Sequence, residues 1–227
     1  MDQTLISLAA ASTAFVGTHL VMSHLLRGPM VRAVGEKGFL GVYSLVSLAA
    51  FAWMVLAFRA APPGNGGIAG PLGEALWVLA SLLTLLATVL LVGSFRGNPA
   101  MPDTPVERIA AASPQGVFRV TRHPMMWSFA LWALAHMALS WSERTSILAG
   151  AVLFLALVGA HLQDRKKEAL LGEAWKKWEA QTSYWPRLGE LQRAGLGLWL
   201  VALALWLGFT WLHMPAAGIP AGVWRWI

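Results

Sequence analysis

The sequence contains no cysteine, and charged residues make up only 12% of its 227 positions. The missing cysteines exclude disulfides, thiolate metal ligands and cysteine nucleophiles. A soluble domain has about 25% charged residues. Here 57% of the residues are hydrophobic and the mean hydropathy is +0.58. The composition therefore indicates an integral membrane protein.

The apolar residues are grouped into runs that are long enough to cross a hydrocarbon core of about 30 Å. These runs lie at about 4–26, 39–60, 72–94, 124–141, 146–162 and 195–213. They predict one all-α domain over 1–227, a polytopic membrane bundle of about six transmembrane helices. No lysine or arginine precedes the first run, which therefore lacks the basic region of a cleavable signal peptide and is expected to stay in the mature chain.

The basic residues are distributed unevenly between the loops. Fourteen of the seventeen lie in three alternate connections: Arg27, Arg32, Lys37, Arg96, Arg108, Arg119, Arg122, Arg165, Lys166, Lys167, Lys176, Lys177, Arg187 and Arg193. The positive-inside rule then predicts an inner-membrane protein with these connections in the cytoplasm and both termini outside. The net charge of +6 is thus a signal of topology. The expected partner is the lipid bilayer, and no nucleic acid is expected.

One of the basic connections, residues 164–187, alternates lysines with apolar side chains. Leu170, Leu171, Trp175 and Trp178 recur at roughly helical spacing. This pattern predicts an amphipathic helix that lies on the inner membrane surface.

Histidines are the candidates for chemistry, because an ionisable side chain inside a membrane helix is costly unless it has a partner. His136 is expected in mid-membrane, and His19 lies one to two turns from the inner boundary. Three histidines should lie at that boundary with nearby charges: His24, His123 and His161, together with Arg27, Arg122, Asp164 and Arg165.

Two imidazoles from different helices can ligate a haem iron, with arginines at the boundary holding the propionates. His19 and His136 are the preferred pair, and His24 and His161 are alternative ligands. The predicted propionate or structural partners are Arg27, Arg122, His123, Asp164 and Arg165. Interhelical hydrogen bonding explains the two membrane histidines about equally well from spacing alone.

The chain resembles the NnrU family, which includes the 15-cis-zeta-carotene isomerases, over about 4–190. The resemblance rests on His19, Leu26-Arg27, Gly35-Glu36, Tyr43-Ser44-Leu45, Arg119-x-Thr121-Arg122-His123-Pro124, Trp132, Ala135-His136, Gly159-Ala160, Asp164-Arg165, Gly172-Glu173-Ala174 and Thr182-Ser183. It implies a haem b membrane protein with His19 and His136 as axial and catalytic ligands. An electron donor would reduce the haem, and a polyene or other apolar molecule would be isomerised. Bacterial members linked to nitrite and nitric oxide metabolism imply an alternative, a haem protein without isomerase activity.

Two residues depart from the isomerase pattern. Ala133 replaces a cysteine, which excludes a ligand switch at that position, and His161 replaces a tryptophan.

The motif Arg122-His123-Pro124, followed by a charged segment, also resembles integral-membrane methyltransferases. That resemblance implies S-adenosylmethionine bound by Arg122 and His123, although the paired glutamates of those enzymes are not reproduced.

Overall fold

The computed structural model describes residues 2–64, 67–101 and 104–227. Within these residues the regular structure is entirely helical. The helices are α1 Gln3–Ser23, α2 Arg27–Ala60, α3 Gly70–Ser94, α4 Val106–Ala110, α5 Pro124–Leu139, α6 Glu143–Leu171, α7 Glu173–Gln181 and α8 Leu196–Ala217. Short 3-10 turns occupy Gly116–Arg119, Leu188–Ala194 and Gly222–Arg225. The prediction of an all-α membrane bundle is confirmed.

Each of the six predicted apolar runs coincides with a helix. Five of these helices, α1, α2, α3, α6 and α8, are long and apolar enough to cross a membrane. α5 is apolar but has only 16 residues. The short member of the set is therefore the fourth run, whereas the fifth run belongs to the 29-residue α6.

The helix ends follow from local chemistry. Asp2 caps α1 by accepting a hydrogen bond of 2.8 Å from the backbone N–H of Thr4. Pro124 begins α5, where its missing N–H costs no helical hydrogen bond. α2 begins at Arg27 and not near residue 39, because Gly35 adopts a positive φ of 72° that joins two helical segments at a kink.

The amphipathic segment differs from its prediction. α6 continues through Asp164 to Leu171, and Gly172 then ends it with φ at 53°. Only α7, residues 173–181, is a separate amphipathic helix, and residues 182–187 are not helical. The single helix predicted over 164–187 is therefore wrong, because the positive φ of Gly172 interrupts it.

The helices pack in a definite order, in which α1 lies between α2 and α6, and α5 lies between α6 and α3. α8 packs against the other side of α3. Neither α1 and α5 nor α5 and α8 form a main packing contact. We call the end at which α1 finishes and α5 begins the basic end, and the end that carries both chain termini the terminal end.

Candidate functional site

A buried ion cluster occupies the basic end of the bundle. Nε of Arg122 donates a 2.8 Å hydrogen bond to Oδ2 of Asp164, and Nη2 lies 2.7 Å from the same oxygen. Nε2 of His123 lies 2.9 Å from the other carboxylate oxygen, Oδ1. That contact is short but not aligned as a hydrogen bond, since neither atom has a partner of acceptable geometry. The structure thus brings together three of the residues that the sequence placed at one depth.

The segment after α7 fixes this cluster to the start of α5. The backbone N–H of Arg122 donates to the carbonyl of Ser183 at 2.8 Å. The Tyr184 carbonyl accepts two further bonds, from Thr121 Oγ1 at 2.7 Å and from Trp127 Nε1 at 2.8 Å. These bonds satisfy polar groups that would be costly to bury unpaired, and they hold α7 against the bundle.

A polar cavity of about 450 Å³ lies beside the cluster. It is lined by Arg122, His161, Asp164, Arg165, Glu168, Glu179 and Ala180. Three carboxyl groups and two guanidiniums make the lining negative by one charge when all three carboxyl groups are ionised and His161 is neutral. Glu168 and Glu179 were not among the predicted site residues. Their signal in the sequence was weak, because both are acidic residues in a stretch that reads as a solvated charged face.

Glu179 has an unusual electrostatic environment. Burial and the negative charge of Asp164 raise the pKa of its carboxyl group, and together they outweigh Arg122, whose Nη2 lies 3.4 Å from Oε1. A carboxyl group with a raised pKa in the folded chain disfavours folding once it is ionised. That cost is absent below the unfolded pKa and grows as the pH rises through the folded value.

Glu179→Gln is therefore expected to raise the midpoint of thermal unfolding in detergent at pH 8 and to leave it nearly unchanged at pH 4. Glu173→Gln is the control on the same helix, because the Glu173 side chain is 88% exposed. An equal change in the unfolding midpoint at both pH values would contradict a raised pKa of Glu179 as the cause.

The remaining boundary residues have separate partners. Arg27 forms a 3.0 Å ion pair with Glu36, and Arg165 pairs with Glu168 at 3.2 Å. Nε2 of His24 lies 3.3 Å from the carbonyl of Leu162. This last contact records that α1 and α6 are adjacent at the basic end.

The structure does not bring His19 and His136 together. The His24 contact with Leu162 places His19 level with residue 157 of α6, because the two helices run parallel. The contact of Ser140 with Thr145, 3.1 Å between hydroxyl oxygens, places His136 level with residue 149. At 1.5 Å per residue the two histidines differ in depth by about 12 Å.

Their rings also face different neighbours. The His19 ring lies 5.5 Å from the ring of Tyr43 on α2, measured between centroids. The His136 ring lies 4.2 Å from that of Trp132 and 6.3 Å from that of His213 on α8. Two nitrogens that bind one iron are separated by about 4 Å. His19 and His136 therefore lie at different depths, and α6 packs against both of their helices.

An apolar groove of about 620 Å³ opens at the terminal end between α1 and the α5–α6 connection. It is lined by Leu5, Ala9, Met137, Trp141, Ser142, Glu143, Ser146 and Ile147. Met137 directly follows His136 in the sequence, so the groove and this histidine lie at similar depth. Within the described residues, no group of three or more histidine, aspartate or glutamate side chains is arranged to hold a metal ion.

This architecture defines a multi-pass helical membrane protein with a buried ion cluster at the basic end and with His136 towards the terminal end. Residues 7–221 match the family model described as NnrU protein. The chain therefore belongs to the NnrU family, and the matched region includes α8 and His213. Comparisons with curated proteins and with solved structures found no match.

Proposed function

We propose that the chain is a haem b protein of the inner membrane in which His136 is an axial ligand, and that it isomerises a polyene or another apolar substrate. The observation that carries this proposal is the hydrogen bond made by the His136 ring. Its Nδ1 lies 2.8 Å from the Trp132 carbonyl. A carbonyl can only accept, so Nδ1 carries the proton and Nε2 is left as a ligand atom. Metal-binding histidines commonly have this arrangement.

The apolar groove supports an apolar substrate. Leu5, Ala9, Met137 and Ile147 line it, and Met137 directly follows His136 in the sequence. A bound haem would supply a redox-active iron. The chain's own part is to orient His136 through the Trp132 carbonyl and to exclude water from the apolar lining. A small nitrogen oxide would need no groove of this size, so the groove favours the isomerase over the nitric oxide alternative.

The test is the absorption spectrum of detergent-purified protein from haem-replete cells, oxidised and reduced with dithionite. The parent should show a Soret band and sharp reduced α and β bands, and His136→Ala should lose or shift them. His24→Ala is the control, because His24 lies at the basic end. A colourless parent, or haem lost from His24→Ala and kept by His136→Ala, would overturn the proposal.

The cavity at the basic end favours a second candidate, an S-adenosylmethionine-dependent membrane methyltransferase. Its excess of carboxylate charge suits a cationic sulfonium group, and it adjoins Arg122 and His123. Isothermal titration with S-adenosylmethionine and S-adenosylhomocysteine tests it. Binding that Glu179→Gln weakens would support a methyltransferase, and no binding at millimolar ligand would exclude it.

A further inference from the structure

Two lysines of α6 lie beside the turn that joins α1 to α2. Nε2 of His24 lies 3.3 Å from the carbonyl of Leu162. Lys166 follows Leu162 by four residues, which puts it one turn, about 6 Å, further towards the basic end on the same face of α6. Arg27 follows His24 by three residues, and its charge acts on both Lys166 and Lys167. We call Arg27, Lys166 and Lys167 the cationic surface, which two contacting helices build together.

The cationic surface has too few anions to balance it. Within the residues that the structure describes, Lys166 and Lys167 are half-buried and form no ion pair or side-chain hydrogen bond. Nζ of Lys167 lies 6.0 Å from the ring centroid of Trp175, a neighbour without net charge. Arg27 uses only Nη2, which lies 3.0 Å from both carboxylate oxygens of Glu36. Its Nε and Nη1 remain as donors. Because like charges repel, an anion bound among these groups would be favoured.

The cationic surface is separate from the polar cavity at the basic end. Successive residues of an α-helix point about 100° apart. Lys166 stands two residues from Asp164 and two from Glu168, and therefore points about 160° away from each around the helix. Asp164 and Glu168 line the cavity, and Glu168 is already paired with Arg165. The carboxylates of the cavity therefore do not neutralise Lys166.

Apolar side chains adjoin the cationic surface. Leu25 and Leu26, in the turn before Arg27, are 76% and 43% exposed. The apolar run of α6 ends at Leu162, so Lys166 lies one turn beyond it, where the headgroups meet the hydrocarbon core. Basic pockets between membrane helices at this level are typical sites for phosphate-bearing lipid headgroups. A lipid here would present its phosphate to the cations and an acyl chain to the leucines.

We propose that Arg27, Lys166 and Lys167 bind the phosphate of an anionic phospholipid. The two lysines act as point charges, and the remaining donors of Arg27 bind phosphate oxygens. The bound lipid relieves the repulsion between the cations and joins the start of α2 to α6. This site goes beyond the proposed haem function and does not depend on it, because the cationic surface lies at the basic end and His136 towards the terminal end.

The experiment is native mass spectrometry of the full chain in detergent, titrated with phosphatidylglycerol or with phosphatidylcholine of the same acyl chains. The parent should bind phosphatidylglycerol more tightly, because phosphatidylcholine has no net charge. Lys166→Gln/Lys167→Gln should weaken phosphatidylglycerol binding by about 25-fold, since each cation near an anionic lipid contributes a factor of about five. Its phosphatidylcholine binding should stay unchanged, which also shows that the double variant is folded.

The matched control is Lys176→Gln/Lys177→Gln, which removes the same two charges from α7 at the same end of the bundle. Lys176 is paired with Glu173 at 2.8 Å, and Nζ of Lys177 donates to the Ala110 carbonyl at 2.9 Å. Equal weakening by the two double variants would overturn the proposal, because overall charge alone would then attract the lipid. Equal affinity of the parent for both lipids would overturn it too. Inorganic phosphate that displaces phosphatidylglycerol at millimolar concentration would assign the site to free phosphate instead of a lipid.

Discussion

Asp164→Asn is expected to lower the free energy of unfolding by about 3–5 kcal/mol, the usual effect of removing one partner from a buried ion pair. Asp164 is only 5% exposed and is the carboxylate against which both Arg122 and His123 are placed. The amide would leave the Arg122 guanidinium with Glu179, 3.4 Å away, as its remaining anion. The measurement is unfolding in detergent, followed by tryptophan fluorescence.

The matched control for this change is Glu173→Gln. Glu173 also forms an ion pair, 2.8 Å from Lys176, but its side chain is 88% exposed. An exposed pair contributes about 0–1 kcal/mol, so the control should change stability little. Equal effects of the two substitutions would show that the Asp164 cluster is not buried as the structure has it.

The common level of three boundary residues was predictable from the sequence. Hydrophobic runs fix which residues enter the membrane, and the ends of those runs placed Arg122, His123 and Asp164 at one level, where the structure also has them. This worked because depth depends only on position along a helix of known rise. The break at Gly172 was not predicted, since an apolar pattern continued across it and a single glycine does not show its φ value in advance.

The lateral arrangement of the helices was not predictable. Pairing His19 with His136 assumed that their helices pack directly against each other, whereas α1 and α5 both pack mainly against other helices, and each of them contacts α6. Nothing in a transmembrane helix that is apolar all round tells which face meets which neighbour. In the same way, His213 lies at the end of the last apolar run, and only the packing of α8 against α3 brings its ring to 6.3 Å from the His136 ring.

Trp175→Ala is the second change for which we expect a large effect, a loss of about 3–5 kcal/mol of stability. Trp175 is fully buried, in the core cluster that also contains Val117 and Ile109. Its removal leaves a cavity under a helix of nine residues whose other buried tryptophan is Trp178. Because α7 also carries Glu179, the cavity at the basic end should loosen at the same time.

Trp175→Phe separates packing from hydrogen bonding at this position. Nε1 of Trp175 has no hydrogen-bond partner among the described residues, so the phenylalanine loses ring volume but no bond. It should therefore cost much less than alanine. Trp185→Ala is the control for an exposed tryptophan, since Trp185 is 66% exposed, and it should cost under about 1 kcal/mol.

In Trp175→Ala the effect of Glu179→Gln at pH 8 should also shrink, because a loosened α7 lets water reach the Glu179 carboxyl group and removes the burial that raises its pKa. An undiminished effect of Glu179→Gln in that background would mean that Trp175 does not hold α7 against the cavity.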